Sequence, residues 1–527
     1  MLFSKLLSEF SLGGNFLKCL HALYSDHQVF VRLADGLLQP IKTTIGLKQG
    51  CCLSSLLFNL FINNLPSIFD QSCDPITIEN ESFNSLLWAD DLLIMSRSSN
   101  GLQNAIDKTS MFYKSIGLEI NKSKTKVMVF NKQGRLLTNL NHLFMIENEV
   151  IEVVDTYQYL GIKVRPSGSM TYAVGELFDK ASRAWFAISN VLYCHKRLPV
   201  SKAFQLYDSL IRPIATFSCE AWLPFMLPKN SYNSLPLLLK SWESFRSEIL
   251  NQKLCRLLLS VHKKSSRLAV LGELGRYPML IPALKHCLNY EFHLSRCDRG
   301  SIVSMAVREM RARPDLDTWY RRVKQIKELL GIKILRGSKE SVSKFIDKRI
   351  KSCFDRFWLD EINQEKIDIN GNDRNKLRFY KQIKGSFGLE PYIQNVHNRS
   401  QRTWLAIFRV CAVANLRVES GRYTRPVTPL ENRTCQYGCN DMLDDKNHAI
   451  LVCGVLTIKR NCFLGKMSSL LPDFENMSAQ NKLLTILCPK NYEIAVCVSK
   501  YLGIISNTRK KLDMGLSDDM LGIYTIH

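Results

Sequence analysis

Asp90 and Asp91 stand side by side between two apolar runs, Leu86-Leu87-Trp88-Ala89 and Leu92-Leu93-Ile94. Apolar runs on both sides of a polar pair read as two β-strands closed by a turn, here over residues 85–96. Adjacent carboxylates repel each other, so a pair held at the rim of a sheet, facing a cleft, calls for a cation. A hard divalent ion such as Mg2+ suits oxygen ligands and also takes phosphate oxygens. An Asp-Asp pair without such flanks is usually a solvated turn. The apolar strands on both sides set this one apart.

The rest of the chain alternates short elements and then turns helical. Phe3, Leu6, Leu7 and Phe10 recur at helical spacing until Gly13-Gly14, and a second helix is expected over 16–24. Val29-Phe30-Val31 and Ile41, separated by Asp35-Gly36, predict a hairpin. Gly46 to Gly50 reads as a loop, 53–65 as an apolar helix ended by Pro66, 104–116 as a helix stopped by Gly117, and 126–130 as a strand. A further strand pair is expected within 153–164. From Tyr172 to about Arg425 helical patterns dominate, with interruptions expected at Pro199, Pro213, Pro224, Pro228 and Pro236.

Charge narrows the partner. The 527 residues, length for two to four domains, carry 71 Lys and Arg against 48 Asp and Glu, a net of +23. Residues 241–430 hold 37 of those cations and 19 of the acids, a net of +18. Aromatics are interleaved there: Trp319, Tyr320, Phe357, Trp358, Phe379, Tyr380 and Trp404. Cations neutralise phosphates and aromatic faces stack on unpaired bases, so the region reads as a nucleic-acid-facing surface. Each aromatic taken singly reads as core, with the cations on solvated faces. With 46% hydrophobic residues the chain can bury a core, which excludes global disorder. No run of 18 apolar residues is present and the first residues lack a signal-peptide pattern, so neither a membrane partner nor secretion is expected. Seventeen scattered cysteines fit reduced thiols and a nuclear or cytoplasmic setting.

Four of the metal-binding side chains are not scattered. Cys435, Cys439, His448 and Cys453 fall within nineteen residues, and three thiolates with one imidazole suit tetrahedral Zn2+. The intervening Asp441, Asp444, Asp445 and Lys446 are polar, as a small knuckle requires. Cys51-Cys52, Cys194-His195 and His286-Cys287 are adjacent pairs, poorly placed to chelate one ion, and read as core or surface thiols.

A set of motifs in fixed order then resembles a known family. Gly46-Leu47-Lys48-Gln49-Gly50, Trp88-Ala89-Asp90-Asp91, Gly117-Leu118-Glu119-Ile120-Asn121 with Lys124-Thr125-Lys126, and Tyr159-Leu160-Gly161 are similar to the reverse transcriptase of non-LTR, LINE-type retrotransposons. Leu206-Tyr207-Asp208-Ser209-Leu210-Ile211-Arg212-Pro213 and Glu220-Ala221-Trp222 resemble its thumb helices. Gly272-Glu273-Leu274-Gly275-Arg276-Tyr277-Pro278 resembles the segment that follows, and the Cys435–Cys453 spacing resembles its C-terminal Cys-Cys-His-Cys knuckle. The resemblance implies that Asp90 and Asp91 are metal-site acids of a polymerase palm and that Gly46, Gln49 and Gly50 meet template and nucleotide. It implies Lys124 near the triphosphate, with a solvated cation in the run Lys122, Lys124, Lys126 as the equal alternative, and a primer grip at Tyr159 to Gly161. It also implies an RNA template, a DNA primer or target, deoxynucleoside triphosphates, Mg2+ and Zn2+.

Departures matter as well. Trp88 stands where the family carries Phe or Tyr, Cys52 where it carries Pro, and Ser55 where it often carries Pro. A third palm acid is implied on a Phe-Asp strand just before the helix at 2–10, and Glu9, Asp26 and Asp35 are placed wrongly to replace it. The expectation is an N-terminally truncated, catalytically incomplete enzyme. The expected fold is α+β: an incomplete right-hand palm at 1–165, an all-α thumb at 166–230, a basic helical nucleic-acid-facing region at 231–430, a zinc knuckle at 431–460 and a tail at 461–527. The rival reading is a non-catalytic nucleic-acid-binding remnant. A third, maturase-like reading is opposed by the thumb and knuckle motifs.

Overall fold

The computed structural model describes residues 5–515 apart from 6–7, 26–27, 44–45, 47, 49, 132, 136–141, 334, 365–376, 411–415, 425 and 440. The chain separates into two compact units: Met1–Ser169 with Asp298–Ala312, and Met170–Cys297 with Arg313–His527.

Small hairpins and a few helices make up the first unit. Helix α1 (Gly14–Tyr24) precedes β1 (Gln28–Val29), β2 (Arg32–Leu33), β3 (Gly36–Leu37) and β4 (Ile41–Lys42). The expected hairpin forms, with Val29 opposite Ile41 and the β2–β3 pair at its tip. Helix α2 (Ser54–Phe61) packs on α1 through Leu20 and Leu57. It is shorter than the predicted 53–65: it stops at Phe61, and Pro66 sits in a separate 3-10 turn, Leu65–Ile68. Proline has no N–H and its ring would strike the carbonyl four residues back, so the α-helix ends before reaching it.

Further hairpins follow: β5 (Ile76–Ile78) with β6 (Glu81–Phe83), β7 (Ser85–Trp88) with β8 (Asp91–Ile94), and β9 (Met145–Ile146) with β10 (Glu149–Val150). Between the last two, α3 (Ser99–Ser115) begins five residues before the predicted start because the Ser98 hydroxyl accepts the Gly101 N–H. It ends before Gly117, at φ +76°, the predicted stop. Residues 126–130 are not the strand predicted. Val127 alone bridges Val153, and its side chain instead joins Ile106, Phe144, Ile146 and Ile151 in a small core. The strand pair within 153–164 is β11 (Tyr157–Tyr159) with β12 (Ile162–Val164).

Helices carry the second unit: α4 (Thr171–Cys194), α5 (Val200–Leu210), α6 (Arg212–Ala215), α7 (Cys219–Met226), α8 (Leu235–Lys240), α9 (Arg246–Leu259), α10 (Arg267–Leu274) and α11 (Leu280–Leu294). Helix α12 (Ile302–Ala312) belongs to the first unit, where Arg308 binds the Glu79 carboxylate at 2.5–3.0 Å. The second unit continues with α13 (Trp319–Leu329), α14 (Lys339–Asn363), α15 (Tyr380–Ile383), α16 (Pro391–Asn395), α17 (Arg399–Arg409) and α18 (Arg417–Ser420). The stretch expected as a tail carries most of α19 (Thr457–Leu470), then α20 (Ala479–Leu487) and α21 (Tyr492–Asp513). Pro224, expected as a break, lies inside α7, and its carbonyl accepts from Tyr232 and Arg322.

The core of this unit is aromatic and, unusually, cationic. Trp319, Phe357, Trp358 and Tyr380 are buried, while Tyr320, Phe379 and Trp404 are half-buried. The expectation that cations of 241–430 lie on solvated faces fails at buried Arg399, Arg402 and Arg409, and beyond that stretch Arg433 and Arg509 are buried too. The motif at 272–278 explains part of this. Glu273 and Arg409, both with fully buried side chains, pair at 2.8 and 3.0 Å, and Tyr392 donates to the same carboxylate at 2.7 Å. Arg276 grips Asp208 at both oxygens, 2.6 and 2.9 Å, and bonds Asn251 at 3.0 Å. A Cβ on Gly272 would lie 2.5 Å from the Trp358 ring. Gly275, at φ +56°, passes 2.6 Å from the Leu389 amide by the same measure. These glycines are places where chain and ring approach too closely for any side chain.

Candidate functional site

The β7–β8 hairpin places the two acids. Trp88 pairs with Asp91 across the strands, which leaves Ala89 and Asp90 as the turn. Ala89 adopts φ +52°, a left-handed conformation that costs a non-glycine residue about 1 kcal/mol. Both carboxylates are exposed. The strands are not the buried pair that the apolar runs suggest: β7 and β8 form a two-stranded sheet, with Trp88 67% and Leu86 36% exposed. Among the described residues, no third carboxylate, imidazole or thiol joins Asp90 and Asp91 in a metal-sized group.

Other predicted residues gather in the same unit. Leu160 (φ +46°) and Gly161 (φ +84°) make the two-residue turn of β11–β12, the left-handed pair that a tight hairpin turn needs. Half-buried Tyr159 lies close enough to Asp91 for that charge to act on it: burial raises its phenol pKa, and the carboxylate raises it further. The Tyr157 hydroxyl donates to the Lys124 carbonyl at 3.3 Å, which ties the Lys124 turn to β11. In the run of three lysines, Lys122 binds Glu147 and Glu149 at 2.8 and 2.9 Å, and Lys126 binds Glu152 at 2.9 Å. Lys124 is exposed and its ammonium has no partner among the described residues. Gly46 (φ +103°) and Gly50 (φ +82°) hold left-handed conformations with open space where a Cβ would stand. Gln49 lies outside the described residues.

The second unit brings Cys435, Cys439, His448 and Cys453 together, one ligand atom of each within 4.8 Å of the others. Cys439 Sγ and Cys453 Sγ are 4.0 Å apart. Two thiolates on one tetrahedral Zn2+ are expected about 3.8 Å apart from Zn–S bonds of about 2.3 Å. Both ring nitrogens of buried His448 lack a partner, an arrangement a buried imidazole tolerates poorly without a ligand. Burial, together with the nearby Cys453, Asp444 and Cys439, pushes the Cys435 thiol up to about 12, the direction a bound cation would reverse. The backbone does the gathering. Thr434 bridges Leu443, Cys435 N–H donates to the Met442 carbonyl, and a π-helical turn at His448–Val452 sets Cys453 beside His448. The three adjacent Cys or Cys-His pairs form no such group among the described residues.

Sequence reasoning missed the support behind this centre. Asp444 is fully buried, accepts the Arg417 N–H at 2.8 Å and pairs with buried Arg509 of α21 at 2.6 Å. Arg509 also bonds the Cys453 thiol and lowers its pKa against the rise caused by burial. Nothing in the local pattern around Arg509, followed by Lys510 and Lys511, marks it as inward-facing.

Comparison with known proteins adds to this geometry. Residues 5–164 match the family described as reverse transcriptase (RNA-dependent DNA polymerase). The chain is 29% identical over 128 residues to a retrovirus-related Pol polyprotein from a type-2 retrotransposable element of Drosophila melanogaster, covering 23% of this chain and 12% of that one. Against the Pol polyprotein from type-1 retrotransposable element R2 of Popillia japonica it is 26% identical over 128 residues, 23% of this chain and 21% of the other. A putative uncharacterized transposon-derived protein of Caenorhabditis elegans is 24% identical over 148 residues, 28% of this chain and 50% of its own length. The chain thus spans between about a tenth and half of the relatives it matches.

Proposed function

We propose that this chain, which carries a reverse transcriptase domain of the non-LTR retrotransposon kind at residues 5–164, is part of an RNA-directed DNA polymerase acting in target-primed reverse transcription. The observation that carries the reading is the β7–β8 hairpin end, where Asp90 and Asp91 are both exposed and Asp91 is near enough to Tyr159 for its charge to act on it. Asp90 and Asp91 hold Mg2+, which when bound activates the primer hydroxyl and steadies the leaving pyrophosphate. Lys124, the one cation of its run without a carboxylate partner among the described residues, offsets triphosphate charge. Gly46, Gln49 and Gly50 meet the template–nucleotide pair, and the Tyr159–Gly161 turn supports the primer end.

The same reading assigns the palm to residues 1–165, the thumb to 166–230, a nucleic-acid-facing region to 231–430, the knuckle to 431–460 and the C-terminal part to 461–527. Cys435, Cys439, His448 and Cys453 hold Zn2+ and fix the knuckle for nucleic acid. Among the described residues no third acid joins the pair. Primer extension on a primed RNA template tests this. Mg2+-dependent extension by a protein containing these 527 residues, lost in Asp90→Ala, supports the reading. Extension that survives Asp90→Ala would overturn it.

A further inference from the structure

The second unit holds a hollow of about 450 Å3 lined by Tyr193, Lys196, Arg256, Ser260, Arg399 and Ser400, with no carboxylate on its wall. Three cations around one concavity repel one another unless an anion joins them. Arg399 is pinned. Its guanidinium donates to the carbonyls of Leu192 and Leu257 at 3.3 Å and of Tyr193 at 2.7 Å. Those carbonyls end α4 and α9, the negative poles of the two helices, so Arg399 covers the groups that would otherwise turn an anion away.

Arg256 is differently placed. Its Nε is buried without a hydrogen-bond partner. Burial lowers its pKa, and the nearby Arg267 charge acts in the same direction. Burial also lowers Arg399. Lys196 is exposed and forms no ion pair among the described residues. At the mouth stands the Tyr193 ring, 64% exposed, with the Arg399 guanidinium carbon 5.8 Å from its centre. An aromatic ring steadied by a fixed cation beside two unpaired cations is the chemistry that seats a phosphate and its neighbouring base. Bases in a duplex face each other and cannot stack on a side chain, so the strand must be single.

We propose that this hollow seats one phosphodiester of a single-stranded nucleic acid between Lys196 and Arg256, with the adjoining base stacked on Tyr193. The inference rests on the nucleic-acid reading above and adds to it a place on the molecule and a strand type. It is tested on the whole 527-residue chain with labelled 20-nucleotide oligo(dT) and oligo(rU) and a 20-base-pair duplex. The Lys196→Gln, Arg256→Gln double variant should weaken single-strand binding about tenfold and reduce the slope of log affinity against log salt by about 0.7. Tyr193→Leu should weaken single-strand binding about fivefold or more, with the salt slope and duplex binding unchanged. Oligonucleotides bearing 5-iodouridine should crosslink at Tyr193. If the double variant does not fold, Lys196→Gln, an exposed change, carries the charge arm. Lys490→Gln, a surface cation outside the hollow, should change little; an equal loss there would overturn the proposal. Competition by inorganic tripolyphosphate as strong as that of the oligonucleotide would make this a polyphosphate site and overturn the strand assignment. Wild-type binding that both variants retain would sink the hollow and spare the nucleic-acid reading. A chain that binds no nucleic acid at all would sink both.

Discussion

The two units solve the problem of placing charge in opposite ways. In the first, among the described residues, charges stay at the surface and pair there, as Lys122 does with Glu147 and Glu149, and Asp90 and Asp91 remain in water. Its cores are small, one centred on Leu20 and Leu57 and another on Ile106, Val127, Phe144, Ile146 and Ile151. In the second, Glu273, Arg409, Asp444 and Arg509 are sealed inside and paired with each other across long sequence separations. Exposed acids on a thin scaffold are available for metal and substrate; sealed pairs fix which helices can pack together. The first arrangement leaves its acids open to ligands, and the second fixes shape.

Breaking each arrangement should therefore have different consequences. The largest effect is expected at Asp90. In a polymerase-active protein containing these residues, Asp90→Ala should cut primer extension about a thousandfold or more. It should leave thermal unfolding unchanged, because the side chain is exposed. A parallel loss of stability would mean that the acid serves the fold.

Next comes the sealed pair. Glu273→Gln leaves buried Arg409 with Glu390, 2.6 Å away, as its remaining carboxylate partner, and should destabilise the second unit by about 1–3 kcal/mol in urea unfolding. The first unit's transition should not move. A shift of well under 1 kcal/mol would show that water or relaxation replaces the lost partner.

The Cys3His centre lies between these extremes. His448→Ala should weaken Zn2+ binding by more than the roughly 10–100-fold that loss of an outer partner costs. Cobalt substitution reads the site directly through its thiolate charge-transfer band. Absence of that band in the wild-type chain would remove the metal assignment.

The smallest effect belongs to the surface of the first unit. Lys114 and Lys122 hold the Glu147 carboxyl down to about 2 from its usual 4.5. A depressed folded pKa gives stability that is present above the unfolded value and fades as pH falls from about 4.5 towards 2. The loss should be slight and should vanish in 1 M salt, where exposed pairs are screened. Persistence in salt would place the pair in a more buried setting than the first unit otherwise shows.

Local pattern made much of the first unit legible. The hairpins around Asp35-Gly36 and Asp90-Asp91, the stop at Gly117 and the turn at Leu160-Gly161 all depend on residues a few positions apart. The Cys435–Cys453 group was legible for the same reason, since its four ligands lie on one short segment. Where the pattern misled, a distant contact had decided. Val127 turned from a strand into a core residue, Pro224 was absorbed into a helix, and the apolar strands flanking the acids stayed half-exposed.

By itself the sequence determined the order of the motifs, the two acids at a hairpin end, the Cys3His cluster and the net positive charge. These are properties of composition and of neighbours along the chain, which local geometry translates directly. Tertiary structure alone decided which charges face inward. Arg409 meets Glu273 across 136 residues and Arg509 meets Asp444 across 65. A cation in a helical pattern looks the same whether it points to water or to a buried carboxylate, because desolvation is set by what packs against it.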